Sequence, residues 1–160
     1  MIQSATRRIL LAGPEPGGHV ASGLAIADEL RRISSGWEVL FAGEGQGETA
    51  RRVSAAGYAY RDLAPPPMPA LDRAVFRSLR PRARVSALLR ETRPSVVVTL
   101  GGPSGLLVGK SAVAAGLPLV DVDSNPDVTP TTRRLAPLAR LVCLAFEEAR
   151  GQLRGSCPTR

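Results

Sequence analysis

Aromatic side chains make up only 4% of this 160-residue chain, and it has a single histidine, His19, a single lysine, Lys110, and two cysteines. With so few aromatics there is no surface on which successive bases could stack, which argues against a nucleic-acid partner. Cys143 and Cys157 are too few and too isolated for a disulfide framework or a metal cluster, and they suit a reducing compartment. Neither a metal nor a cofactor is expected. No run of about eighteen apolar residues could span a bilayer. Arg7 and Arg8 are followed by only four apolar residues before Gly13, short of a secretory signal. The expectation is a cytoplasmic protein, soluble or peripheral.

What the chain has in excess is arginine, alanine, glycine and proline, with a formal net charge of +7. That composition fits a G+C-rich coding sequence, but the charge still favours an anionic partner such as phosphate or an acidic membrane surface. At this length, with 44% hydrophobic residues, one domain over 1–160 can build a core without metals or disulfides.

The chain is organised around residues 7–33. Ile9, Leu10, Leu11 and Ala12 form an apolar run of strand length, as in a parallel sheet covered on both faces. Prolines and glycines over 13–18 then break any regular element. After His19, apolar Val20, Leu24, Ala27 and Leu30 recur at helical spacing. Gly17, Gly18 and His19 therefore stand at a helix N-terminus, where free N–H groups and the helix dipole favour an anion. Two readings fit this turn: a phosphate site, or a tight strand-to-helix connection in which His19 caps the helix.

The same unit recurs downstream. Strands are expected at 38–42, 58–63, 95–100, 117–122 and 141–146, with helices at 48–56, 106–115, 131–139 (interrupted or reset near Pro137) and 147–153. Alternation of this kind predicts right-handed crossovers and a doubly wound, Rossmann-like parallel sheet with ligands beyond its carboxyl edge. Between residues 64 and 69 lies a stiff proline-rich connection. The arginine-dense segment that follows, 71–93, should be broken by Pro81 into two helices. It reads either as a solvated charged face or as a surface that meets anionic lipid, with Met68, Leu71, Arg73, Phe76, Arg77 and Arg80 facing the membrane.

In order, AG…GGH at residues 12–19, TLGGPSG at 99–105, GLPLVDVDSN at 116–125 and RRLAPLA at 133–139 resemble the amino-terminal domain of the MurG family. These bacterial glycosyltransferases move N-acetylglucosamine from UDP-N-acetylglucosamine onto an undecaprenyl-diphosphate-linked muramyl peptide. The resemblance covers nearly the whole chain and implies the amino-terminal, Rossmann-like half of a GT-B fold, which holds the lipid acceptor. It further implies that Gly17, Gly18, Gly101, Gly102, Ser104 and Asn125 bind the acceptor or its diphosphate without metal. By the same resemblance His19 and Asp123 carry catalysis and Arg160 touches the donor.

The chain departs from the family pattern at four points. Its first loop is one residue longer and includes Glu15; Pro103 replaces a tyrosine; Val122, Asp123 and Ser124 stand where the family has histidine, glutamate and glutamine, so that the acid is shortened; and Cys157 stands where the family has an asparagine. The expectation is therefore an acceptor-binding half that is inactive alone, working with a donor-binding half on another chain or lacking one, at the inner face of the plasma membrane. The alternatives are a non-catalytic lipid-diphosphate-binding module and an independent nucleotide-binding domain. For the last, Glu44 is the nearest acid to the usual ribose position after the second strand.

Overall fold

The computed structural model describes residues 7–13, 18–34, 36–64 and 80–153. The expectations placed on Glu15, Gly17, Met68, Leu71, Arg73, Phe76, Arg77, Cys157 and Arg160 lie outside those residues, as does the side chain of Arg80.

Six parallel strands form one sheet: β1 (Arg7–Ala12), β2 (Trp37–Gly43), β3 (Ala59–Asp62), β4 (Val96–Thr99), β5 (Leu119–Asp123) and β6 (Leu141–Leu144). Their spatial order is β3-β2-β1-β4-β5-β6. Five helices accompany them: α1 (Gly18–Ile33), α2 (Glu48–Ala55), α3 (Arg80–Thr92), α4 (Gly102–Ala114) and α5 (Pro130–Leu135), followed by a 3-10 turn at Glu147–Gln152. The apolar runs form strands because both of their faces are covered. Leu10, Ala12, Leu40, Ala42, Val97 and Leu119 pack with Val85, Leu88 and Leu89 of α3, Val108 and Ala112 of α4, and Leu135 of α5. Alternate residues Ile9, Leu11, Val39, Phe41 and Val98 pack on the other face with Ala27 of α1 and Val53 of α2. Each fully buried leucine in these layers contributes about 2 kcal/mol relative to an exposed one.

The winding reverses between β1 and β4. Their pairing sets Ile9 beside Val96 and Ala12 beside Thr99, while α1 and α4 leave toward opposite faces. The carboxyl edge between these two strands is where doubly wound folds hold ligands.

Pro81 is the second residue of α3, where its missing N–H has no intrahelical carbonyl to lose; the first of the two helices expected over 71–93 lies outside the described residues. Helix α4 starts at Gly102 rather than at 106, because Gly101 (φ 96°) and Gly102 (φ 70°) complete the turn and Pro103 presets the first helical φ. Helix α5 stops at Leu135, in keeping with the interruption expected near Pro137. Thr129 caps it, accepting from the Thr132 N–H at 3.2 Å, with Pro130 in the first turn.

Candidate functional site at the carboxyl edge

Two glycine turns meet at the switch point. Leu100 N–H donates to the Ala12 carbonyl at 2.9 Å, which continues the β1–β4 pairing one step past the strands. Gly13, at φ 82°, then turns against the second loop. A Cβ on Gly13 would overlap the Gly101 carbonyl oxygen and stand 2.8 Å from Gly105 Cα. Only a residue without a side chain lets the two turns approach so closely.

His19 is the second residue of α1 and reaches across this junction. Its Nδ1 hydrogen-bonds the Leu100 carbonyl, 81 positions away. A carbonyl only accepts, so Nδ1 carries the proton and, in the neutral ring, Nε2 keeps its lone pair. The ring lies over Gly101, where a Cβ would come within 2.9 Å of Cε1. His19 thus bonds to the neighbouring strand end rather than capping its own helix. Gly101 supplies no side-chain cap to α4, so the first-turn N–H groups of α4 face the same edge uncapped by that residue. Ser104, in that turn, is buried at 5% exposure.

The third wall comes from β5 and α5. Asp123 is 2% exposed and its oxygens take the backbone N–H of Asn125 at 3.1 Å, the Asn125 side-chain amide at 2.9 Å and the Thr129 N–H at 2.8 Å. Thr131 Oγ1 donates to the Gly102 carbonyl at 3.3 Å, tying α5 to the second glycine turn. The structure therefore gathers Gly18, His19, Gly101, Gly102 and Ser104 at one edge and sets Asp123 and Asn125 beside them. Sequence reasoning does not single out Gly13, the Leu100 carbonyl, Thr129 or Thr131. For Thr129 a signal exists, since Thr-Pro before a short apolar pattern is a helix-start signature.

Burial alone would push the Asp123 carboxyl up, but the donors from Thr129, Asn125 and Thr132 outweigh it and hold the group below its ordinary value. A carboxylate depressed in the fold stabilises the protein above its unfolded value near 3.8, and that stability disappears as pH falls through the folded value. Asp123→Asn is expected to destabilise the domain by about 2–3 kcal/mol at neutral pH, because an amide cannot accept from all three donors. It should also flatten the acid side of the stability profile. Urea unfolding of both proteins at pH about 7 and about 3 checks this, and parallel profiles would show that the carboxylate is not what holds the loop.

No family model matches the chain. Over 150 residues it is 40% identical to the UDP-N-acetylglucosamine--N-acetylmuramyl-(pentapeptide) pyrophosphoryl-undecaprenol N-acetylglucosamine transferase of Acidithiobacillus ferrooxidans, covering 89% of this chain and 40% of the relative. The enzyme of the same name from Thermus thermophilus is 36% identical over 143 residues, covering 86% of this chain and 41% of the relative. The chain thus spans about two fifths of the length of these curated relatives. Among solved structures, Acinetobacter baumannii MurG superposes with a TM-score of 0.81 at 21% identity, over 96% of this chain and 44% of that one. Anabaena Alr3699/HepE, solved with UDP and glucose, gives 0.69 at 18% identity, over 97% and 43%. These likenesses show the fold, a Rossmann-like parallel α/β domain of the kind found in GT-B structures. Over nine tenths of its own length, and in its sheet, the chain is similar to about two fifths of the length of the MurG enzymes.

Proposed function

We propose that this chain is the acceptor-binding half of a UDP-N-acetylglucosamine-dependent transferase acting on an undecaprenyl-diphosphate-linked muramyl peptide, and that it needs a donor-binding half. The observation that carries the reading is the junction of the two glycine turns under His19. There the α1 and α4 N-termini point at one crevice, and Nε2 is left as the proton acceptor. The acceptor diphosphate sits against the N–H groups at Gly18, Gly101, Gly102 and Ser104, where helix dipoles and unpaired donors replace a metal. His19 Nε2 takes the proton of the attacking sugar hydroxyl. Its oxygen then bonds to the anomeric carbon of the donor sugar as UDP departs with the bonding electrons. Asp123 acts through Asn125, which its carboxylate orients, and Asn125 contacts the acceptor. Donor contacts, including that expected of Arg160, belong to the other half.

The purified chain tests the binding part of this reading. It should bind vesicles carrying the diphosphate-linked muramyl peptide more tightly than matched vesicles without it, and the preference should survive moderate salt. A preference that vanishes with salt would leave only a basic surface.

The anionic membrane is the second partner in this reading. A groove of about 780 Å³ runs between α3 and α4, floored by Leu89, Leu107 and Leu117 and rimmed by Arg82, Arg90, Arg93 and Lys110. Among the described residues no helix is long and apolar enough to cross a membrane. An apolar floor under a cationic rim suits peripheral docking on the cytoplasmic leaflet. Reversing two of these charges, Arg90→Glu with Lys110→Glu, should weaken binding to anionic vesicles by about tenfold or more at low salt, at roughly 1 kcal/mol per basic residue. Flotation against neutral vesicles reads this out, and unchanged binding would place the membrane contact elsewhere.

The non-catalytic alternative is separated by transfer itself. A chain that binds the diphosphate lipid but gives no product when a donor half is supplied is a binding module.

A further inference from the structure

Strand β5 reads Leu-Val-Asp-Val-Asp, with Leu119, Asp121 and Asp123 buried on one face of the strand. Asp121 has no exposed surface and Asp123 is 2% exposed. Register sets Thr99 of β4 on one side of Asp121 and Val142 of β6 on the other. Thr99 Oγ1 hydrogen-bonds Asp121 Oδ1 and also lies 3.4 Å from the Val120 carbonyl oxygen. One hydroxyl proton shared between two acceptors makes two weakened bonds, and a carbonyl can only accept. A proton on Asp121 Oδ1 satisfies both contacts: the carboxyl donates to Thr99 Oγ1, and Thr99 donates to Val120.

The other oxygen points the same way. Among the described residues Asp121 Oδ2 is buried with no partner at hydrogen-bond distance, although the Thr132 hydroxyl is near enough to pull on the carboxyl. Left unpaired, a neutral acid's carbonyl oxygen costs far less than half of a carboxylate charge. Nor does a cation compensate. The strand itself contributes Asp123, which its own donors keep ionised. Strand β4 presents Val97 and Thr99, and β6 presents Val142. Helix α4 turns Val108, Gly109 and Ala112 inward and keeps Lys110 exposed, while α5 turns Thr131, Thr132 and Leu135 inward and keeps Arg133 and Arg134 exposed. Among the described residues, the charged group facing Asp121 is a second carboxylate.

We infer that Asp121 is protonated in the native fold at neutral pH, and that this proton latches the wall formed by β5 and α5 so that alkaline pH releases it. Burial first, and repulsion from Asp123 after it, raise the carboxyl above its ordinary value against the pull of the Thr99 and Thr132 hydroxyls. A carboxyl raised in the fold contributes stability that is complete below the unfolded value and is lost as pH rises through the folded value. This is the reverse of Asp123. Ionisation would set two carboxylates in line under α5, whose Thr131 holds the Gly102 turn, so the glycine edge would loosen along with its wall. The inference stands whether or not the chain binds the lipid acceptor.

The experiment is a carbon-13 titration of the aspartate carboxyls of the purified chain between about pH 5 and pH 9, with amide exchange at Thr129 followed in parallel. At pH 7 the Asp121 carboxyl should resonate at the protonated position. Thr129 protection should fall as that resonance titrates, and in Asp121→Asn it should stay flat over the same range. A carboxylate resonance at pH 7 overturns the protonation. Thr129 protection that ignores the titration overturns the latch. The wild-type titration decides the first point even if the asparagine variant does not fold.

Discussion

Gly13→Ala is expected to cost the domain about 3–5 kcal/mol, enough to leave much of it unfolded in cells. Two costs add. At φ 82° an alanine is held in the left-handed region, worth about 1–2 kcal/mol by itself. Steric overlap costs more, since the new methyl would collide with the Gly101 carbonyl and press within 2.8 Å of the Gly105 backbone. Neither neighbour is the free end of a flexible side chain, so relief requires moving β4 relative to β1 or displacing the α4 N-terminus. Gly45→Ala is the control, because Gly45 also has positive φ, at 84°, but a Cβ there meets nothing within 4 Å. It should lose only what the left-handed backbone costs an alanine. Urea unfolding of both variants separates the two costs, and equal losses would show that the close approach of the two turns contributes nothing.

That junction marks how far the sequence can be read. Apolar runs such as those at Ile9 and Val96, with the glycine and proline punctuation along the chain, announce six strands in order, because each signal is local: a strand buried on both faces must be continuously apolar, and a helix after a tight turn needs glycine. The placement of the glycine loops on one edge follows from the alternation of strand and helix. What cannot be read locally is which loops touch. Gly13 and Gly101 meet because β1 pairs with β4 rather than β3, and residue spacing does not encode strand order. The His19 bond to Leu100 depends on the same pairing, so capping and phosphate binding both stay open for that side chain until the strands are in place.

The acidic pair in β5 shows a different limit. Alternation places Asp121 and Asp123 on one face, yet the family resemblance points to Asp123 for chemistry and nothing local singles out Asp121. The two differ in what surrounds them. Asp123 ends its strand and meets the loop N–H groups of Asn125 and Thr129. Asp121, two positions earlier, meets the hydroxyls of Thr99 and Thr132 and apolar side chains. The same residue type on the same face thus titrates in opposite directions, for reasons that lie in neighbouring elements.

His19→Ala is expected to lower transfer by about 10²- to 10⁴-fold, the usual range for loss of a positioned general base. The measurement needs a donor-binding half, which the remaining length of the Acidithiobacillus relative can supply by fusion or co-expression. Vesicle binding of the diphosphate acceptor should change little, since N–H groups rather than the imidazole hold the phosphates in this reading. Gly101→Ala extends the test. Its methyl would stand 2.9 Å from His19 Cε1 at a φ of 96°, so the ring must leave the Leu100 carbonyl and Nε2 loses its set direction. If His19 acts as the base, Gly101→Ala should approach the His19→Ala rate, and combining the two should lower transfer little further, as for residues acting through one group. Nitrogen-15 spectra of the imidazole give a readout independent of turnover: wild type should show a protonated Nδ1 and an unprotonated Nε2, a pattern lost in Gly101→Ala. Independent, multiplying losses would mean that Gly101 serves the phosphate and not the histidine. Full transfer by His19→Ala would end the case for the imidazole as base and leave the glycine edge as a binding surface alone.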